Sequence, residues 1–147
     1  MNEPFLSMTS NNSPMPFLLI FKDASPSNYT RLSPAQRQTL LKEWYDWYDG
    51  LAEAGKLRHG HPLEPEGRIV SAHGGRVVDG PFVEANEVVG GYFLLTVSGL
   101  EEAVAIAKQC PTLRHDIGLT VEVRPVADLC PALSAENAAT EAAAKKA

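Results

Sequence analysis

Three groups of polar side chains lie close enough along this chain to do chemistry together. Asp79, Glu84 and Glu87 fall within one short stretch, Val77-Val78-Asp79-Gly80-Pro81-Phe82-Val83-Glu84-Ala85-Asn86-Glu87. Like charges crowded into a cleft raise at least one carboxyl pKa, which is what a general acid or base requires. His59-Gly60-His61 puts two imidazoles on one face of an extended segment, with Glu64 nearby. That spacing can chelate a divalent ion, but third and fourth ligands are not identifiable, so no metal is assigned. The pair is read instead as the best histidine candidates for acid/base work, since an unperturbed imidazole titrates near neutrality. Glu122 and Arg124 alternate with Val121 and Val123 and project from the opposite face of their strand. There Arg124 can pair with the loop carboxylates or grip an anion in a bidentate fork. Asp79, His59 and His61 are accordingly expected to be catalytic, and Glu84, Glu87, Glu122 and Arg124 to contact a ligand. The plainer alternatives are that Asp79 caps its own turn, the glutamates are solvated, and the histidines are ordinary strand or loop residues.

Composition removes several other functions. The chain of 147 residues carries 18 acidic against 13 basic side chains, with no lysine/arginine cluster, so direct nucleic-acid binding is not expected. Phe17-Leu18-Leu19-Ile20-Phe21 is far too short to span a bilayer, and Met1 to Pro16 lack the basic start of a secretory signal. A cytoplasmic protein without membrane contact is the expectation. Cys110 and Cys130, each followed by proline, match no zinc-ribbon or thioredoxin-like spacing and are read as free thiols. No glycine-rich phosphate loop or nucleophile elbow can be assembled, and no cofactor is called for.

The elements that must position these residues follow from local chemistry. Residues 1–14 read as a flexible arm, 15–128 as one domain, and 134–147 as an alanine-rich tail that frays or is disordered. Pro16 to Lys22 is a strand. Ser33-Pro34-Ala35-Gln36 is a helix start: a serine cap, a proline at the first position and a glutamine closing a capping box. Leu40, Trp44, Trp47, Tyr48 and Leu51 form the buried stripe of that helix, and Gly55 stands where it ends. Leu57 to Glu64 is extended, and Arg68 to Ala72 with Arg76 to Asp79 flank His73-Gly74-Gly75 as a hairpin. Tyr92 to Val97 is a buried strand. Ser98-Gly99-Leu100-Glu101 is expected as a second capping box, with Leu100, Ala103, Val104 and Ala107 as the stripe of a second helix ended by Pro111. Thr120 to Val126 is the last strand.

The order of these elements is that of a ferredoxin-like split β-α-β, an α+β fold with an inserted β-hairpin. Two helices cover only one face of such a sheet, yet Phe17 to Phe21 and Tyr92 to Leu95 carry large apolar side chains on both. Each left in water forfeits about 1.5–3 kcal/mol, so a second copy packed face to face, a dimeric α+β barrel, is the economical cover.

Three separated blocks, Val78-Asp79-Gly80-Pro81-Phe82-x-Glu84-x-x-Glu87, Gly90-Gly91-Tyr92-Phe93 and Val121-Glu122-Val123-Arg124-Pro125, together resemble the DGPF branch of the YCII-related superfamily. The resemblance implies a dimeric ferredoxin-like fold with a polar pocket, and some relatives are encoded with, or fused to, extracytoplasmic-function sigma factors. Two places depart from the pattern. Asn86 stands where the family usually has a lysine between the loop glutamates. In the catalytic corner of the superfamily a histidine near the start of helix 1 pairs with an aspartate just after helix 2. These regions here read Ser33-Pro34-Ala35-Gln36-Arg37 and Gln109-Cys110-Pro111, so the dyad is missing and the resemblance does not carry over dehydrochlorinase or lyase activity directly. The expected function is binding of a small polar molecule near the DGPF loop, with cofactor-independent acid/base chemistry of lyase or isomerase type. The alternative is a non-catalytic regulatory or interaction module linked to sigma-factor-dependent transcription.

Overall fold

The computed structural model describes residues 13–81 and 88–134. Glu84, Glu87, nearly all of the arm expected over residues 1–14, and the tail beyond Ser134 lie outside the described residues.

Alternating apolar residues build the sheet. Strand β1 (Met15–Asp23) turns Phe17, Leu19 and Phe21 to one side, and β5 (Val88–Val97) turns Phe93, Leu95 and Val97 to the same side. With β2 (Leu57–Pro62) and β6 (Leu119–Pro125) they form a four-stranded sheet in the order β2-β5-β1-β6, every neighbouring pair antiparallel. Strands β3 (Arg68–His73) and β4 (Arg76–Pro81) make a separate two-stranded antiparallel sheet. Gly74 and Gly75 hold φ of 57° and 80° at its turn, which favours glycine at both positions.

Helix α1 (Pro34–Glu53) starts as its sequence predicts. The Ser33 hydroxyl accepts from the Gln36 amide at 3.1 Å, and the Gln36 side-chain oxygen accepts from the Ser33 amide at 2.8 Å. Its stripe lies on the sheet: Leu51, Trp44, Trp47 and Tyr48 pack on the main core, while Leu40 joins Leu32 and Ile117 in a smaller cluster. Helix α2 (Leu100–Ala107) departs from expectation in two respects. Its cap is Gly99, which has no side chain to offer. The Ser98 amide and hydroxyl instead both donate to Glu102 Oε1, at 2.8 and 2.9 Å, and Lys56 Nζ approaches Glu102 at 2.6 Å. The buried stripe is Ala103, Ile106 and Ala107, continued by Cys110, while Leu100 is exposed. Ala103, fully buried, lies at the centre of that inward face, and Leu100, one turn earlier, stands in solvent.

Both helices contribute to one core on one face of the sheet, centred on Leu19 and Leu95. On the other face Leu18, Ile20, Tyr92 and Leu94 are half-buried by one another and by adjacent strands. No helix among the described residues is long and apolar enough to cross a membrane.

Candidate functional site

The open face of the sheet gathers four of the residues singled out from sequence. A register shift between Leu57 and His59 lets both His59 and His61 point outward, with Gly60 buried between them against the Phe93 ring. The Tyr92 hydroxyl lies 3.2 Å from His59 Nδ1, and the rings of His59 and His61 stand 5.7 and 6.0 Å from that of Tyr92. Pairing across the strands sets two rows on this face. One runs His59, Leu94, Leu18, Arg124, and the other His61, Tyr92, Ile20, Glu122. The imidazoles and the Glu122–Arg124 pair thus occupy opposite margins, with two strands of apolar side chains between them. Lys22 Nζ sits 2.6 Å from Glu122 Oε1, and Arg124 Nε is 3.3 Å from Oε2. The lysine above all holds the Glu122 carboxyl below its ordinary pKa.

Asp79 is elsewhere. It projects from β4 and meets Arg68 Nη2 at 3.0 Å across the hairpin, both side chains largely exposed. The described residues therefore do not bring Asp79 together with the histidines or with Arg124. They also hold no group of three or more His, Cys, Asp or Glu side chains arranged for a metal ion.

A different place has the form of a pocket. Between α1 and the strand ends lies a cavity of about 680 Å³. Phe21, Phe93, Trp44 and Tyr48 wall its interior, with Leu41 and Tyr45 from the exposed part of α1. Gly90, Gly91 and the Gly60–Pro62 end of β2 supply backbone surface, and Asp23, Tyr29 and Asp49 supply the polar groups. The rings lock one another edge to face. Phe21 meets Trp44 at 4.9 Å and 84°, and Phe93 at 5.0 Å and 85°, while Tyr48 meets Phe93 at 5.6 Å and 80°. Such contacts hold the walls in one geometry.

Asp23 reaches this cavity because it continues the inward parity of β1 beyond Phe21. The turn after it is tied down by the Ala24 amide donating to Gly118 O at 3.1 Å and by Asn28 Nδ2 donating to Ile117 O at 2.8 Å. Burial pushes the Asp23 carboxyl above its ordinary value, and a hydrogen bond from Tyr29 only partly offsets that. Tyr29 itself is pushed up to about 12, first by burial and also by the neighbouring Asp23 charge, so its hydroxyl stays a neutral donor. Behind them Thr112, fully buried, accepts from Trp44 Nε1 at 2.9 Å, and its hydroxyl oxygen lies 3.5 Å from that of Tyr29. Cys110, beside this group, is raised to about 11 by burial and offers no thiolate.

Spacing alone does not single out Asp23 or Tyr29, because Asp23 reads as the first residue of a turn. A signal did exist: Phe17, Leu19 and Phe21 face inward, and one further step of two reaches Asp23. A carboxylate extending the buried face of a strand is rarely placed without purpose.

One antiparallel sheet with two helices on a single face, in this strand order, defines an α+β domain of the ferredoxin-like kind. The family model for the YCII-related domain matches residues 15–127, and the chain belongs to that family. No curated protein matches it.

Proposed function

We propose that the protein binds a small polar molecule in the cavity under α1 and that Asp23, assisted by Tyr29, exchanges a proton with it in cofactor-independent chemistry of lyase or isomerase type. The observation that carries this reading is the pairing of a raised carboxyl with a neutral phenol inside an aromatic-walled cavity. The three motif blocks support membership of the DGPF branch, whose loop leads directly into the Gly90–Gly91 wall. His59, His61, Glu122 and Arg124 are read as rim groups of a homodimer joined through the open face. Its apolar centre, Leu18, Ile20 and Leu94, supports that association. Light scattering of a monodisperse protomer at high dilution would remove the dimer.

The ligand reading is tested by thermal-shift screening of polar metabolites against the wild type, Asp23→Asn and Asp79→Asn. Ligand-induced stabilisation lost in Asp23→Asn and kept in Asp79→Asn is expected. The reverse pattern moves the site to the loop. No stabilisation by any compound favours the non-catalytic interaction module instead.

A further inference from the structure

The charge of the cavity narrows what enters it. No lysine or arginine is among its described lining residues, while Asp23 and Asp49 both are. Burial and the Tyr29 hydrogen bond are the influences on Asp23, and no described ion pair neutralises it. Lys22, its neighbour in sequence, lies on the other face against Glu122. A carboxylate in a poorly hydrated site costs free energy unless a cation or hydrogen-bond donors reach it. An anionic ligand would be repelled in that low-dielectric setting, and a neutral apolar one would strip further water from Asp23 without compensating it. Aromatic rings add attraction of the right sign, because the negative faces of tryptophan, tyrosine and phenylalanine stabilise an adjacent cation.

The backbone is cut to keep this carboxylate accessible. A Cβ at Gly90 would come within 2.6 Å of Asp23 Oδ2, so any side chain there would displace the carboxylate. At Gly91 a Cβ would meet His61 O at 2.9 Å. Gly90 thus contributes no side chain to the part of the wall facing Asp23, and Gly91 none to the part facing β2.

Resting on the cavity reading above, the geometry points to an organic cation as the ligand class: an ammonium group set against Asp23, carried on an apolar body that lies among Phe21, Trp44, Tyr48 and Phe93. Asp49 extends the acidic lining on the α1 side and favours the same charge during entry.

The test titrates the full chain with benzyltrimethylammonium, benzyl alcohol and benzoate, which share a ring and differ in charge, and follows heat of binding together with ring-current shifts of the Trp44 indole. Benzyltrimethylammonium is expected to bind about tenfold or more tighter than benzyl alcohol, with benzoate weakest. Asp23→Asn, close to isosteric, is expected to remove most of that preference, and Asp49→Asn at its exposed position to reduce it by a smaller factor. The melting temperature of each variant establishes that it is folded. Equal binding of the neutral or anionic probe with Trp44 shifts overturns the cation assignment while leaving a ligand-binding cavity. Cation binding that leaves the Trp44 resonances and both variants unaffected overturns it as surface association. Absence of Trp44 shifts with all three probes overturns the cavity reading as well.

Discussion

The two faces of the sheet place carboxylates in opposed settings. On the helix-covered face Asp23 is desolvated and driven toward its protonated form, whereas on the open face Glu122 is held ionised by Lys22 and Arg124. The covered face builds its surroundings from interlocked rings beside one small hydrogen-bonded group of Asp23, Tyr29 and Thr112. The open face balances its charges against one another around an apolar middle. A reactive group is better served by the first arrangement, in which water screens it less, and an interaction surface by the second.

The sharpest way to separate the faces is a pair of truncations one residue apart on β1. Leu19 is fully buried under both helices, so Leu19→Ala is expected to cost about 2–5 kcal/mol in urea unfolding, whereas Leu18→Ala on the open face should cost about 1 kcal/mol at high dilution. If copies associate through that face, the Leu18→Ala loss will grow with protein concentration while the Leu19→Ala loss stays constant. Next in size is Gly60→Ala, which brings a methyl within 2.5 Å of the Phe93 ring and 2.7 Å of Tyr92 O. A loss of about 1–3 kcal/mol is expected, with altered near-ultraviolet circular dichroism as the rings shift. Trp44→Phe removes the donor to buried Thr112 and should cost about 1–2 kcal/mol by the same unfolding measurement.

The pH dependence is smaller and differs in sign between two carboxylates. Asp23 has a folded-state pKa raised above 3.8, so the native state keeps its proton longer than the unfolded chain does. Its contribution is fully present below that value and is lost as pH rises through the folded pKa. Glu102, held down to about 2 by Lys56 and Ser98, contributes above 4.5 and loses that contribution as pH falls. Melting curves across the acid range should therefore flatten on opposite sides in Asp23→Asn and Glu102→Gln. The Glu102 effect should stay under about 1 kcal/mol, as for other solvent-facing ion pairs. Arg68→Ala should be the mildest change, about 0.5 kcal/mol or less, because its bond to Asp79 is exposed on both sides.

Much of the architecture was legible because each cue acts locally. Ser33-Pro34-Ala35-Gln36 makes its capping box with groups only three residues apart, and the alternation of Val121, Glu122, Val123 and Arg124 needs nothing beyond the pleat. The start of α2 misled because Ser98 satisfies Glu102 together with Lys56, a residue 46 positions before Glu102, and no local pattern announces such a partner. The candidate site was harder still. His59 with His61, and Glu122 with Arg124, share a face as local alternation predicts, but the separation of the two pairs by two apolar strands depends on strand order. Asp23 is notable only once α1 is seen to cover it, and the contacts between Tyr29, Thr112 and Trp44 join residues 68 or more positions apart.

Gly90 carries a last consequence. Along β1 and β5 the partners run Phe21↔Gly91 and then Lys22↔Val89, so Gly90 is an extra residue inserted into the ladder. Val89 is consequently exposed at 41%, although ordinary alternation from Gly91 would have turned it inward. The insertion acts as a change of phase within one strand. The count of residues between Val88 and Gly91 is therefore as constrained as their identity: deleting one would exchange interior for exterior at the head of β5 and carry the lip of the cavity with it.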